Sequence, residues 1–457
     1  MGKLRTLFFV VMLTMILAPA FATEVKGKDA NEGKTNPVEL RITGDWTVHV
    51  EMGEESADLT IDPPGWLVAK GEVMNQIPIF NSDGPFWRKA IPLPGVVASN
   101  SSVFGALDAD SLIVRLHPDD ETPLVEGTDY ILDPDYGNIG RVEGGAIGPE
   151  TPIYVDYRAA RKRIDSIVFD PATKSIVLVK GEPDQVMPVP PELAPDQKRL
   201  ANIFLEGKME RLSDANLFPI TEWSNTGGIF SFHDDQAVNP DPIARHLLPK
   251  TWEKLQNGGT VRVLAWGDSM TECGYIPDED RWQAQFVARL QKKFPNATIE
   301  LVTEGWGGRT TDSFFNEPPG SPHNYQEKVL DQKPDLVVSE FVNDAGLPPE
   351  RIEANYSRIR DDLNNIGAEW IILTPHYIRP DWMGLSSQTN IDEDPRPYVK
   401  AIRVFAADNG IALADAALLY GHLWRRGIPY NTLMTNEINH PNADGMSIFA
   451  DALMKLF

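Results

Sequence analysis

The sequence Gly267-Asp268-Ser269 follows a run of apolar residues, so Ser269 is expected on a turn between a strand and a helix. On such a turn the hydroxyl group is exposed and the backbone N–H is free. A serine placed there could attack a carbonyl carbon, and its N–H could hold the resulting oxyanion. The same three residues could instead form a simple turn that caps a helix.

Two further segments could donate hydrogen bonds to the same oxyanion. Gly307-Gly308 lies in a glycine-rich stretch after another predicted strand, where the backbone can approach a ligand closely. Asn343 follows the next strand and could aim its side-chain amide at the developing negative charge. Ordinary turns would explain both segments equally well.

A histidine that could serve as general base lies near the C-terminus, just before the last predicted helix. His440 is held in a loop by Pro441, and Glu437 precedes it by three positions. A carboxylate there could accept the second ring proton and fix the tautomer. Alternatively, a lone loop histidine is exposed to solvent or merely structural.

The elements that must position these residues alternate between strands and helices from about residue 240 onward. This alternation predicts a parallel sheet covered by helices on both faces, with ligands bound beyond the carboxyl ends of its strands. All four segments occur at such ends or before the closing helix, which predicts that they form one site. Strands are predicted at 260–266, 298–302, 336–342, 370–373 and 411–414, and helices at 281–293, 349–364, 397–408 and 443–455.

In their order and residue types, the four segments resemble the ordered blocks of the SGNH (GDSL-type) hydrolases, over about residues 246–457. The resemblance implies a flavodoxin-like three-layer α/β/α fold and ester hydrolysis that needs no metal or organic cofactor. It also implies that Ser269 is the nucleophile and His440 the base. The oxyanion hole would then consist of the backbone N–H groups of Ser269 and Gly308 and the side chain of Asn343.

Two positions depart from the family pattern. Phe341 stands where the family usually has glycine, two residues before the asparagine, and could narrow the site or alter the loop. Glu437 stands where the family usually has aspartate. Either its longer side chain reaches His440 and completes a triad, or a backbone carbonyl orients the ring and leaves a Ser–His dyad.

Further residues near these segments are candidates for lining a substrate cleft. They are Asp268, Trp306, Arg309 and His376. Trp306 and Trp382 could stack on a sugar ring, although tryptophan is more often a core residue, and His376 could equally be a packing residue.

The region before the hydrolase-like segment reads as β-rich. Short strand-like runs occur at 41–50, 111–116, 153–157, 165–170 and 175–179, and the last two bracket a turn and predict a hairpin. The spacing predicts a sandwich-like region over residues 37–239, with two possible subdomains separated by a proline-rich connector at 181–195. The hydrolase domain is predicted over residues 240–457.

The N-terminus has the layout of a secretory signal peptide over residues 1–22. Lys3 and Arg5 precede an apolar run, and Ala20-Phe21-Ala22 provides a cleavage site before Thr23. A polar, flexible leader is expected over residues 23–36. We therefore expect an exported chain, periplasmic or secreted, with no integral membrane segment after cleavage. A membrane anchor is the alternative, although the apolar run is short for one.

Composition excludes several other classes of protein. The 457 residues carry a formal net charge of −24, which argues against nucleic acid as a partner. A single cysteine excludes a disulfide framework and a cysteine-built zinc site.

Export and a large β-rich region before the hydrolase segment favour a carbohydrate substrate. The predicted reaction is removal of O-acetyl groups from a polysaccharide or oligosaccharide by a serine esterase. Three alternatives stay open: a secreted lipid or aryl esterase, a non-catalytic glycan-binding protein with a relic hydrolase domain, and a protein whose β-rich region provides surface attachment.

Overall fold

Short antiparallel strands build the N-terminal part of the computed structural model, which describes residues 38–222, 230–232, 239–391 and 393–457. The predicted signal peptide and leader lie outside the described residues. Residues Val38–Phe457 form one compact unit. The strands of the β-rich region are β1 (Val38–Gly44), β2 (Thr47–Met52), β3 (Glu55–Thr60), β4 (Trp66–Met74), β5 (Ile91–Pro92), β6 (Val97–Ala98), β7 (Ser101–Ser102), β8 (Leu107–Arg115), β9 (Tyr130–Asp133), β10 (Asn138–Arg141), β11 (Ile153–Ala160), β12 (Arg163–Asp170), β13 (Ser175–Val179), β14 (Lys198–Leu205) and β15 (Leu217–Pro219).

The two larger clusters of buried apolar side chains in this β-rich region each join a pair of sheets. The first joins the sheet β1-β2-β3 to the sheet β13-β12-β14-β15, with Val48 and Ile167 in its core. The second joins the sheet β4-β11-β8 to the sheet β5-β10-β9, with Leu107 and Val155 in its core. Each sheet buries one face against its partner, which is the packing that alternating strands favour.

The predicted hairpin is confirmed, because β12 and β13 pair antiparallel from Ser166–Val179 to Asp170–Ser175. The run at 41–50, predicted as one strand, is instead divided between β1 and β2. These strands pair with each other, the register shifts between Ile42 and Gly44, and the chain turns between Gly44 and Thr47. A turn buries the apolar side chains of both halves on one face, which a single long strand could not do.

Strands and helices alternate in the C-terminal part, as predicted. Its strands are β16 (Thr260–Gly267), β17 (Thr298–Gly305), β18 (Leu336–Glu340), β19 (Glu369–Leu373) and β20 (Ala412–Ala414). Its helices are α1 (Ile243–Leu247), α2 (Pro249–Gln256), α3 (Ser269–Glu272), α4 (Trp282–Lys293), α5 (Thr311–Asn316), α6 (Pro349–Ile366), α7 (Pro397–Asn409), α8 (Ala416–His422) and α9 (Ala443–Met454).

The five strands form a parallel sheet in the order β17-β16-β18-β19-β20. This is the flavodoxin-like order of a three-layer α/β/α fold, and the predicted fold class is confirmed. From β16 the chain passes to β17 on one side, and from β17 it crosses to β18 on the other side of β16. A crevice therefore opens beyond the carboxyl ends of these neighbouring strands, where ligands bind in such sheets.

Near-continuous burial characterises the central strands. Every residue of β18 is buried, and β16 is buried from Val263 to Gly267. This pattern is expected for a parallel sheet covered on both faces. Among the described residues, no helix is both long and apolar enough to cross a bilayer.

Candidate active site

A sharp turn carries Ser269 from the end of β16 into α3. The turn requires glycine at position 267, because a Cβ atom there would lie 2.2 Å from the carbonyl oxygen of Glu340. Asp268 caps the helix, and its Oδ1 accepts a hydrogen bond from the backbone N–H of Met270 at 3.1 Å. Ser269 is thus the first residue of α3, as its motif predicted, and it lines a pocket at the edge of the sheet.

Asp268 is completely buried beneath this pocket rather than part of its wall, which corrects its predicted place in a substrate cleft. Its Oδ2 accepts hydrogen bonds from the backbone N–H of Asn343 at 3.0 Å and from the Asn343 side-chain Nδ2 at 2.8 Å. Burial raises the pKa of the Asp268 carboxyl to about 6, despite these hydrogen bonds. Asp268 therefore positions the asparagine beside the serine.

The strand predicted over residues 336–342 ends earlier, at Glu340, and the chain enters a 3-10 turn from Val342 to Gly346 that contains Asn343. The two bonds to Asp268 hold Asn343 in that turn. Phe341 does not narrow the pocket, because its ring is buried in the core, 4.9 Å from the Trp266 ring and 5.8 Å from the Phe314 ring. The side chain at position 341, where the family usually has glycine, therefore lies behind the site.

The glycine segment after β17 forms the opposite wall. Gly308 has φ of 70°, a left-handed conformation that favours glycine. The backbone N–H of Gly307 donates a hydrogen bond to Glu272 Oε2 at 2.7 Å, and Glu272 also lines the pocket. Sequence reasoning missed Glu272, although its place three residues after Ser269 in a helix puts both on one face.

The loop that carries His440 is organised by the side chain of Asn436. The Asn436 Oδ1 accepts hydrogen bonds from the backbone N–H groups of Ile438, Asn439 and His440, at 3.0, 2.9 and 2.9 Å. The carbonyl oxygen of His440 accepts a hydrogen bond from the backbone N–H of Thr435 at 2.7 Å. A single carboxamide thus satisfies three neighbouring backbone donors and fixes the tight turn.

The imidazole of His440 stacks on the Tyr275 ring, with ring centroids 4.4 Å apart and an interplanar angle of 5°. Its Nδ1 is buried and has no hydrogen-bond partner among the residues that the structure describes. Burial lowers the pKa of His440 to about 4. The ring is therefore neutral through the physiological range, as a general base must be.

Glu437 does not contact His440, which corrects the expected triad geometry. The Glu437 carboxylate instead forms a buried ion pair with Lys162, in the link between β11 and β12. Glu437 has φ of 64°, a left-handed backbone conformation, and its side chain is directed toward Lys162 instead of the imidazole. Burial raises the pKa of Glu437, while Lys162 acts in the opposite direction.

These residues meet in a pocket of about 500 Å³. It brings together Ser269, Gly308, Asn343 and His440, the four positions that the motifs predicted. The β-rich region contributes Trp87 and Asn100. The full set of lining residues is Trp87, Asn100, Ser269, Glu272, Gly274, Tyr275, Gly307, Gly308, Asn343, Trp382, Asn436, Ile438, Asn439 and His440.

The β-rich region also holds the histidine loop directly. Ser101 Oγ donates a hydrogen bond to the carbonyl oxygen of Asn436 at 2.5 Å, and Asn436 Nδ2 donates one to Asn100 Oδ1 at 3.1 Å. The backbone N–H of Ser99 donates to the carbonyl oxygen of Thr435 at 3.0 Å. No local motif signals such contacts, because the partners are more than 300 residues apart in the sequence.

The remaining candidates fall outside the pocket lining. Trp306 stacks on His323, with ring centroids 4.4 Å apart, and the Arg309 guanidinium lies 4.9 Å from the centroid of the Trp306 ring. His376 is completely buried, and its Nε2 hydrogen-bonds to the carbonyl oxygen of Asn439 at 2.8 Å. Complete burial corrects the predicted place of His376 in the cleft, whereas a role of Trp306 and Arg309 in binding substrate stays a prediction. Among the described residues, no cluster of three or more His, Cys, Asp or Glu side chains could hold a metal ion.

The buried Lys162–Glu437 pair yields a prediction about stability. Lys162→Met should lower the free energy of unfolding by about 3–5 kcal/mol, because it leaves the Glu437 carboxylate buried without its partner. The double variant Lys162→Met, Glu437→Gln should recover most of that loss. Urea denaturation of both variants and the wild type would measure the differences.

The exposed pair of Lys180 and Asp62 is the matched control, with side chains 52% and 68% exposed. Lys180→Met should cost less than about 1 kcal/mol. Equal costs for the two lysine variants would contradict the role of the buried pair. A fall of about 10⁴-fold in kcat for Glu437→Gln, with little loss of stability, would instead indicate a triad carboxylate.

No curated protein matches the sequence. Among solved structures, a variant of Axe2, an acetyl xylan esterase from Geobacillus stearothermophilus, is 21% identical with a TM-score of 0.35, covering 43% of this chain and 94% of its own. A two-domain esterase (CEX) active on acetylated mannans is 17% identical with a TM-score of 0.38, covering 46% of this chain and 52% of its own.

The model of the GDSL-like Lipase/Acylhydrolase family matches residues 265–448. These residues span the motifs of Ser269, Gly308, Asn343 and His440, so the resemblance found in the sequence is confirmed. Residues 265–448 of this chain form a GDSL-like lipase/acylhydrolase domain.

Proposed function

We propose that this protein is an exported serine esterase that removes acetyl groups from a polysaccharide or oligosaccharide. The observation that carries the proposal is the pocket at the carboxyl ends of β16, β17 and β18. It joins a helix-terminal serine, a neutral histidine and two kinds of N–H donor within one cavity of about 500 Å³. Nucleophile, base and oxyanion donors are the parts that acyl transfer through a serine requires.

In the proposed reaction His440 takes the proton of Ser269 Oγ while the oxygen attacks the ester carbonyl carbon. The tetrahedral oxyanion is held by the backbone N–H groups of Ser269 and Gly308 and by the Asn343 amide. His440 then gives its proton to the departing sugar oxygen, and an acetyl-serine is left. Water, deprotonated by the same imidazole, attacks this ester. His440 then returns the proton to Ser269 Oγ as the acyl bond breaks, which releases acetate and the free serine.

Asn343 is suited to its role because its amide nitrogen carries two hydrogens. One is donated to Asp268 Oδ2, which fixes the plane of the amide and leaves the second hydrogen for the oxyanion. A donor held in this way needs no reorientation during the reaction. Removal of one such donor typically raises the barrier by about 3–4 kcal/mol.

The geometry favours a Ser–His dyad over a triad. Glu437 is committed to Lys162, and Tyr275 supports the imidazole by stacking rather than by accepting a proton. The pocket's burial of the ring keeps it neutral without a carboxylate partner. A buried carboxylate at Nδ1 would favour the imidazolium ion and raise the histidine pKa.

The chemistry of the pocket wall supports a sugar substrate. Four carboxamides line it, those of Asn100, Asn343, Asn436 and Asn439, together with the Glu272 carboxylate. Carboxamides offer donors and acceptors that match sugar hydroxyl groups. The Asn343 and Asn436 carboxamides are already bonded to protein groups, so Asn100 and Asn439 are the residues whose side-chain N–H groups would bond a sugar hydroxyl.

Acetate release tests the reaction. Wild-type protein should release acetate from at least one member of a panel of acetylated polysaccharides, and Ser269→Ala should reduce release to background. Short and long aryl esters should be assayed beside the polymers. Preference for long-chain esters would support a lipid or aryl esterase instead. If neither the wild type nor Ser269→Ala releases acetate but both bind a polymer, the result would support a non-catalytic glycan-binding protein.

The pH dependence tests the base. Since the pKa of His440 is lowered to about 4, the imidazole stays neutral until the pH falls near that value. The acid limb of kcat/KM should therefore have its midpoint near pH 4. Tyr275→Leu, which lets water reach the ring, should move this midpoint upward toward the ordinary histidine pKa of about 6.5. Enzyme held at low pH must recover full activity at pH 7.

A second group could shape this profile, and a variant separates it. The pKa of Asp268 is raised to about 6, so protonation of Asp268 would produce a limb near that value. A limb near pH 6 that disappears in Asp268→Asn would belong to Asp268. A wild-type limb near 6.5 that responds to neither variant would contradict the buried neutral base.

Export is tested by the N-terminus of the mature protein. Expressed in a secreting bacterial host, the chain should leave the cytoplasm and begin near Thr23, because the cleavage site ends at Ala22. Replacing Leu13 and Leu17 with aspartate should block processing, since it interrupts the apolar run. An unprocessed wild-type chain retained in the cell would contradict this prediction.

A further inference from the structure

Three aromatic rings cluster at the mouth of the ester pocket, and none of them belongs to the four motifs. Phe86 and Trp87 come from the loop between β4 and β5, while Trp382 comes from a 3-10 turn at Pro380–Met383. The ring centroids are 4.7 Å apart for Phe86 and Trp87, 5.5 Å for Phe86 and Trp382, and 6.3 Å for Trp87 and Trp382. We call these three residues the aromatic cluster.

Part of the aromatic cluster is open to solvent. Phe86 is 43% exposed and Trp382 is 41% exposed. A single exposed aromatic side chain is common on protein surfaces, but adjacent exposed rings from two separate segments form a contiguous apolar patch. Such patches mark binding surfaces.

Hydrogen bonds hold both segments of the aromatic cluster in place. The loop of Phe86 is closed by the backbone N–H of Asn81, which donates to the carbonyl oxygen of Lys89 at 2.9 Å. The turn of Trp382 is anchored through Arg379, whose backbone N–H donates to the carbonyl oxygen of Ile438 at 2.8 Å and whose guanidinium donates to Tyr136 Oη at 2.7 Å. The rings are therefore preorganised, which lowers the entropic cost of binding a ligand.

The aromatic cluster is continuous with the ester pocket, because Trp87 and Trp382 line that pocket themselves. A group attached to an ester at Ser269 and extending outward along this wall would meet Trp87 and Trp382 first and then Phe86. We propose that the aromatic cluster is a glycan subsite that stacks the sugar rings next to the acetylated one. This inference rests on the proposed function and specifies where its substrate chain lies.

The arrangement of the rings favours a chain of sugars over a single flat ligand. Their planes make angles of 86°, 64° and 55° with one another, so one rigid plane cannot stack on all three. Sugar rings joined by rotatable linkages can each present an apolar C–H face to a differently tilted ring. Burial of that face and dispersion contacts supply the affinity.

Polar groups beside the rings distinguish a sugar from an acyl chain. The carboxamides of Asn100 and Asn439 share the pocket wall with Trp87 and Trp382, and the Asp381 carboxylate beside Trp382 is paired with Arg379. Each sugar ring has an apolar face and a rim of hydroxyl groups, which matches rings bordered by donors and acceptors. An acyl chain would use only the rings.

The test compares substrates of different length on the same enzyme. The probes are an acetylated disaccharide and an acetylated pentasaccharide, cut from the polymer that the wild type deacetylates fastest, together with 4-nitrophenyl acetate and a long-chain 4-nitrophenyl ester. Phe86→Ala and Trp382→Ala should each lower the ratio of kcat/KM for the pentasaccharide to kcat/KM for the aryl acetate by about tenfold. The change should appear mainly in KM, and Trp382→Phe should recover part of it.

A matched control is available in Trp66, which is 42% exposed, carries the Arg158 guanidinium over its ring, and lies outside the pocket lining. Trp66→Ala should leave the ratio unchanged. Thermal unfolding of every variant should show that it is folded. If Trp382→Ala does not fold, Phe86→Ala alone decides, because its ring lies outside the pocket lining.

The outcomes separate this proposal from the proposed function. Absence of acetate release by the wild type from every glycan would refute the function itself. Release that depends on Ser269, with an unchanged ratio in both Phe86→Ala and Trp382→Ala, would overturn the glycan subsite alone. A loss confined to long-chain aryl esters would show that the rings bind acyl chains, and would also overturn it.

Discussion

The candidate site depends on the hydrogen bonds of the Asn436 carboxamide. Its oxygen accepts three successive backbone N–H groups of the histidine loop, while its nitrogen and its backbone carbonyl hydrogen-bond to Asn100 and Ser101. One side chain thus shapes the loop and ties it to the β-rich region. Because these polar groups are buried, water cannot replace a lost hydrogen-bond partner. The same side chain therefore stabilises both the turn and the contact between the two regions.

A layer of buried carboxyl groups lies beneath the pocket. Asp268 orients Asn343, and the Glu340 carboxyl lies at the end of the neighbouring strand with neither oxygen bonded to any described residue. Burial raises the pKa of Glu340 well above its usual range, and the neighbouring Asp268 charge acts in the same direction. The two carboxyl groups resist ionising together, so ionisation of Asp268, which accepts the Asn343 hydrogen bonds, is favoured when Glu340 is neutral.

The β-rich region is a structural part of the site rather than a separate attachment. It supplies Trp87 and Asn100 to the pocket wall and Lys162 to the buried pair with Glu437. A hydrolase domain alone would therefore have an open wall and an unpaired carboxylate behind its histidine. The histidine loop is thus held in place by the β-rich region, while the Glu437 carboxylate is paired away from the imidazole.

The sequence by itself determined the elements of the parallel sheet and the residues that would meet at its edge. Strand and helix periodicity is local, and the carboxyl ends of neighbouring parallel strands must converge, so Ser269, Gly308, Asn343 and His440 could be predicted together. Only the tertiary structure decided the partners of Glu437, Asp268 and His376, and the approach of Trp87. Those depend on side-chain directions and on contacts between distant segments, which no local spacing encodes. Glu437 shows the reason most clearly, since one left-handed backbone angle and one distant lysine redirect its carboxylate.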